Sequence, residues 1–158
     1  MFLLRIGKKT PIADLVVGEM KTLKGVVQSR QRLTVPPSGT DCVYYYLLQE
    51  VYKTGDRGRG RPLWFVEKRE AKCAEFALSD GTGTIVVRSR GEDVKISGTH
   101  EEMGNVKNNR KRRYSAQLII PGDEIIVRGQ VASTEKKDEL VVTPPPNGLL
   151  KIAVVRRA

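Results

Sequence analysis

Three short blocks in fixed order constrain the fold of this chain more than anything else in it. They are Pro37-Ser38-Gly39-Thr40-Asp41-Cys42-Val43-Tyr44-Tyr45, then Phe76-Ala77-Leu78-Ser79-Asp80-Gly81-Thr82-Gly83, then Arg113-Tyr114 leading into Pro121-Gly122-Asp123. Each joins a turn built from Gly, Pro or Asp to a run of β-favouring apolar residues. Turn and strand signals alternating in this way predict an all-β fold, a barrel or sandwich made of hairpins. At 158 residues, 39% of them hydrophobic, the chain suits a single domain spanning residues 1–158 whose core needs neither disulfide nor metal.

Thr10-Pro11 reads as an N-cap followed by proline at the first helical position. It opens a short N-terminal helix over residues 10–20 that carries Ile12, Leu15 and Val16 and stops at Gly18. From there on the chain reads as strands: 21–35, 42–53, 63–70, 73–79, 84–88, 94–97, 114–120, 124–133, 140–143 and 149–155, the last placed to close the barrel. Residues 42–53 are apolar on both faces, which predicts a central strand covered on both sides. Residues 54–62, with three glycines and a proline, make a hairpin loop. Residues 98–113 lose apolar periodicity and read as a long, mobile, basic loop.

Twenty-eight Lys and Arg against eighteen Asp and Glu give a net charge of +10. That balance favours an anionic partner: nucleic acid, a membrane surface or an acidic protein patch. No apolar run reaches the roughly 18 to 20 residues of a membrane helix. Met1-Phe2-Leu3-Leu4 is interrupted by Arg5, Lys8 and Lys9, and reads as a frayed terminus, with the stump of a preceding membrane helix as the alternative. The chain is thus expected to be soluble as it stands, either cytoplasmic or the extramembrane part of an anchored protein.

Catalytic constellations are missing. Two cysteines without C-x-x-C spacing and one histidine do not assemble an ordinary zinc site, and no cofactor is expected. Asp80 and Asp123 lie in glycine-bearing turns, where aspartate caps its own backbone. Ser38, Ser79 and His100 have no nucleophile context. A strand, not a lysine and a helix start, follows Gly81-Thr82-Gly83. These readings exclude an enzyme and a small-molecule substrate.

Two loops carry the candidate binding residues: Arg57, Arg59 and Arg61 in one, and Arg110, Lys111, Arg112 and Arg113 in the other. Clustered guanidinium groups grip phosphates bidentately. Tyr44, Tyr46, Trp64 and Phe65 flank the first loop on strands, where rings facing outward would stack nucleic-acid bases and rings facing inward would pack across strands. If the strands from 42 and from 63 fold about a centre near Gly58, residue 42 faces residue 74. Cys42 and Cys73 then lie close across the pair, as a disulfide in an oxidising compartment or as two buried thiols.

The order C-V-Y-Y, a tryptophan-bearing return strand, F-x-L-x-D-G-T-G, R-R-Y and P-G-D-x-x-x-V-x-G resembles the GIDE domain. That domain is found in membrane-anchored RING-type ubiquitin ligases of the MULAN type and in prokaryotic relatives without the RING. The matching residues are Cys42, Val43, Tyr44, Tyr45, Trp64, Phe76, Leu78, Asp80, Gly81, Thr82, Gly83, Arg112, Arg113, Tyr114, Pro121, Gly122, Asp123, Val127 and Gly129, and the resemblance covers residues 10–131. A RING takes about eight Cys/His ligands, which Cys42, Cys73 and His100 do not provide, so ligase activity is not implied. What the resemblance implies is a non-catalytic interaction module, an OB-like antiparallel barrel beside a membrane or in a larger assembly. A nucleic-acid or ribosome-associated OB protein is the alternative.

Overall fold

Burial alternates along the first strand because every second side chain of a strand points to the same face: Leu23, Gly25 and Val27 turn inward between exposed Lys24, Val26 and Gln28. The same period recurs along the chain, which is described here by a computed structural model covering residues 9–54, 60–136 and 138–158. Its strands are β1 (Met20–Ser29), β2 (Leu33–Thr34), β3 (Asp41–Cys42), β4 (Tyr44–Lys53), β5 (Leu63–Cys73), β6 (Phe76–Ser79), β7 (Thr84–Val87), β8 (Val94–Ser97), β9 (His100–Val106), β10 (Asn109–Ile119), β11 (Glu124–Ser133), β12 (Leu140–Thr143) and β13 (Leu150–Arg156).

Five of these strands close a barrel. β1 pairs antiparallel with β6 and with β11, β6 with β7, and β11 with β12, while β7 and β12 run parallel. Leu23, Val27, Phe76, Leu78, Ile85, Ile125 and Val127 fill its interior. Gly25 is needed where β1 crosses β6, since a Cβ there would sit 2.6 Å from the Ser79 carbonyl oxygen. The strand expected over residues 149–155 exists as β13 but does not close the ring. It continues along the β11 edge that β12 leaves free, and takes β8 as a parallel neighbour on its other side. The edge changes hands at Gly129, where a side chain would strike the Thr143 carbonyl at 2.7 Å.

A second sheet, in the order β5-β4-β10-β9, stands on the barrel. It consists of two hairpins, β4–β5 inserted between β1 and β6, and β9–β10 inserted between β7 and β11. They are joined by a β4–β10 register running from Tyr44↔Ile119 to Val51↔Arg112. At its root, Tyr44 and Ile119 bury into the barrel core. On the opposite face Tyr45, Leu47, Tyr114, Ala116 and Leu118 form a second core under Val35 and Cys42. The double cover expected of residues 42–53 therefore holds for the first half of β4. At the far end Tyr52 and Lys53 are exposed.

Two more expectations fail. Residues 98–113 are no loop: most of the segment is a hairpin that turns at Lys107-Asn108 with φ of 50° and 58°, the left-handed pair that a two-residue hairpin turn requires. β9 does alternate between half-buried and exposed positions, but its half-buried positions include Glu102 and Gly104, so hydrophobicity carried no trace of the period. The expected helix over residues 10–20 is a single 3-10 turn, Ile12–Asp14. Ile12 N–H donates to Asp80 Oδ2 at 2.8 Å and Ala13 N–H to the Thr82 hydroxyl at 3.2 Å, which caps the turn, but the backbone becomes extended at Leu15 and Gly18 N–H joins the Val131 carbonyl. Thr10 acts through its own amide, bonded to the Thr22 carbonyl, and not as a side-chain cap.

Candidate functional site

Basic residues converge at the outer end of the second sheet because its two hairpins run side by side. Arg113 lies across from Glu50 and Arg112 across from Val51. Carried two residues further along each strand, that register brings Arg110 level with Lys53. Arg61, at the base of the neighbouring β4–β5 tip, is exposed, as are Lys107, Arg110 and Lys111. β9 leaves residues 110–112 without cross-strand partners, since its pairing jumps from Val106↔Asn109 to Asn105↔Arg113. This bulge takes residues 110–112 off the β9 ladder only, since Arg112 stays paired with Val51 of β4. Arg57 and Arg59 lie outside the described residues.

The four basic residues of β10 are not equivalent. Alternation sends Arg112 and Arg113 to opposite faces of the sheet. Arg112 Nε is 3.2 Å from Glu67 Oε2, and Arg113 Nε is 2.9 Å from Glu50 Oε1. Each is thus charge-compensated. Arg61, Arg110 and Lys111 have no carboxylate within ion-pair distance among the described residues.

The tyrosines sit elsewhere. Tyr44 is 1% exposed inside the barrel core, where burial pushes its phenol well above the usual range; no nucleic-acid base reaches it. Tyr46 is half-buried, its hydroxyl accepting a hydrogen bond from Arg69 Nη1 at 3.3 Å. The aromatic residues at the tip are Tyr52 and Trp64, directly opposed on β4 and β5 with ring centroids 5.2 Å apart. The Arg113 guanidinium lies 4.0 Å over the Trp64 ring. On the other face Lys53 covers Phe65 at 5.5 Å. A hairpin centred on residue 58 places residue 52 opposite residue 64, so the register that paired the cysteines also held the signal for Tyr52.

That register is close to what forms. β4 and β5 pair Lys53↔Leu63 at the tip and, beyond an irregularity at Gln49/Glu50, Tyr44↔Cys73 at the root. Cys73 therefore faces Tyr44 and packs against the barrel core, whereas Cys42 pairs with Leu33 and belongs to the second core. Both are free thiols. Burial, then the charges of Glu102 and Asp41, pushes Cys42 up to about 12; burial, then Cys42, does the same for Cys73. With so little thiolate at neutral pH, both should resist iodoacetamide in the native protein and react once it is unfolded in urea. Cys42 is buried and Cys73 half-buried, so rapid native labelling of Cys42 would contradict its placement.

Asp80 and Asp123 serve the backbone. Burial alone would raise the Asp80 carboxyl. The hydrogen bonds from the Thr82 hydroxyl and from the amides of Ile12, Thr82 and Gly83 outweigh it and hold the group below the usual carboxylate range. Asp123 is fully buried and accepts from the amides of Ile120 and Ala158, with His100 Nε2 2.7 Å away. Both carboxylates are occupied in fastening turns. Among the described residues no group of three or more His, Cys, Asp or Glu could hold a metal ion, and no helix is long and apolar enough to cross a membrane. Neither a model of a known protein family nor a curated protein matches this chain.

Proposed function

We propose that this chain is a non-catalytic interaction module of GIDE type, built on an OB-like barrel, and that it binds an anionic partner through the outer end of its second sheet. One observation carries the reading: two adjacent hairpins end at the same edge of the sheet, one with exposed Arg61 just before β5 and the other with exposed Arg110 and Lys111 in β10, with no carboxylate in ion-pair contact among the described residues. The five-strand ring with a single parallel pair supports the OB-like assignment. The ordered motifs support the GIDE assignment, and their residues Phe76, Leu78 and Val127 lie in the core. The engagement of Asp80 and Asp123 by backbone amides supports a role without chemistry. In this reading the module stands beside a membrane or within a larger assembly, and the rings of Tyr52 and Trp64 beside the cations favour nucleic acid among anionic partners.

The test is a titration of the chain with a labelled oligothymidylate and with phosphatidylserine vesicles, at about 50 and 200 mM salt. Binding to at least one probe should weaken steeply with salt. The R110A/K111A variant should weaken it at low salt and flatten the salt dependence by roughly one unit for each phosphate no longer neutralised. A wild-type chain that binds neither probe, or a variant that binds as wild type does, would leave these side chains as solubilising charge only.

A further inference from the structure

We infer that the partner of this surface is single-stranded nucleic acid, and that its bases stack on the Tyr52–Trp64 pair while the cations beside the pair hold its phosphates. The inference rests on the anionic-partner reading and goes further by assigning the chemistry of the ligand. Three adjacent strands contribute one residue each to a single face: Trp64 from β5, Tyr52 from β4 and Arg113 from β10. Tyr52 is 39% exposed, and Trp64 is only half-buried. The two rings are inclined at 48° to one another, so they present a bent platform and not a closed stack.

Arg113 is fixed over Trp64 by Glu50, which orders the tryptophan before any ligand arrives and limits the entropy lost on binding. Base stacking on aromatic rings combined with a basic track for the backbone is how single strands are held without sequence selection. A lipid surface fits this geometry less well. The rings lie within a sheet face, beside the Glu50–Arg113 ion pair, and inserting them into hydrocarbon would carry that pair along.

Trp64 is the only tryptophan of the chain, so its emission reports on this site alone. The experiment titrates the full chain with an oligothymidylate of about 12 nucleotides, within the usual range of site sizes. An abasic oligonucleotide of the same length and phosphatidylserine vesicles serve as the other probes. Oligothymidylate should quench Trp64 emission and bind more tightly than the abasic strand. Y52L, which keeps the apolar bulk and loses the ring, should weaken oligothymidylate binding about 5- to 150-fold and leave abasic binding unchanged. W64F, with a native circular dichroism spectrum and melting curve, should retain part of the affinity.

Equal affinity for both oligonucleotides, with no quenching, would overturn the stacking inference while the anionic reading stands. Binding to vesicles but to neither oligonucleotide would overturn it in favour of a membrane. Binding to none of the three probes would remove both.

Discussion

Replacing Tyr44 with alanine is expected to destabilise the protein by about 3–5 kcal/mol, the range seen when a large aromatic side chain is truncated in a packed core. Tyr44 is among the largest fully buried side chains, and it roots the second sheet in the barrel: its ring belongs to the barrel core while the next residue, Tyr45, belongs to the second core. The vacated volume would lie at the junction of two sheets, where neither can collapse inward without losing its register with the other. Tyr44→Phe keeps the ring and should cost far less. Urea unfolding followed by circular dichroism gives the comparison. A Tyr44→Ala protein as stable as wild type but unable to bind nucleic acid would show that the ring serves a ligand and not the fold.

Substituting Asp123 by alanine should cost about 3 kcal/mol or more. Two backbone donors, Ile120 N–H and Ala158 N–H, lose their acceptor, as does His100. A buried donor deprived of its partner costs about 1–3 kcal/mol. The carboxylate holds three distant points of the chain together: the turn between β10 and β11, the residues after β13, and the start of β9. Asp123→Asn retains one acceptor oxygen and should fall between the two. Thermal melting ranks the three proteins, and limited proteolysis should find the residues after β13 cut first in Asp123→Ala. An unchanged melting temperature in that variant would mean that solvent satisfies these donors equally well.

What the sequence disclosed follows from where hydrophobicity and turn chemistry coincide. Phe76 to Ser79 and Thr84 to Val87, joined by Asp80-Gly81-Thr82-Gly83, were legible as strand, turn and strand because each apolar face is buried and each turn residue has a local task. β11 was equally legible, through Ile125, Val127 and Val131. β9 was not, because its inward positions include a glutamate and a glycine that hydrophobicity does not mark. The N-terminal turn failed for a different reason: the chain turns extended at Leu15 and Gly18 N–H donates to the Val131 carbonyl of β11, a distant pairing that no local pattern records. The basic residues were legible as two clusters. That Arg112 and Arg113 are each matched by a glutamate follows from the β4–β10 and β4–β5 registers, which exist only once the hairpins are assembled.

Strand β4 carries its anchor and its working end on one rigid element. Tyr44, in the barrel core, and Tyr52, at the tip, are eight positions apart, about 27 Å along an extended strand at about 3.4 Å per residue. Physiological salt screens charge over about 8 Å. Under the proposed reading a partner touching the tip is therefore electrostatically blind to the barrel, where Arg30 and Arg88 both meet Glu75 and reach Glu139 and Glu135 respectively. Under the proposed binding at the tip the barrel is a stand-off mount: its surface charge can drift without altering what the tip recognises, and the net +10 of the whole chain is a poor guide to the field a ligand meets on arrival.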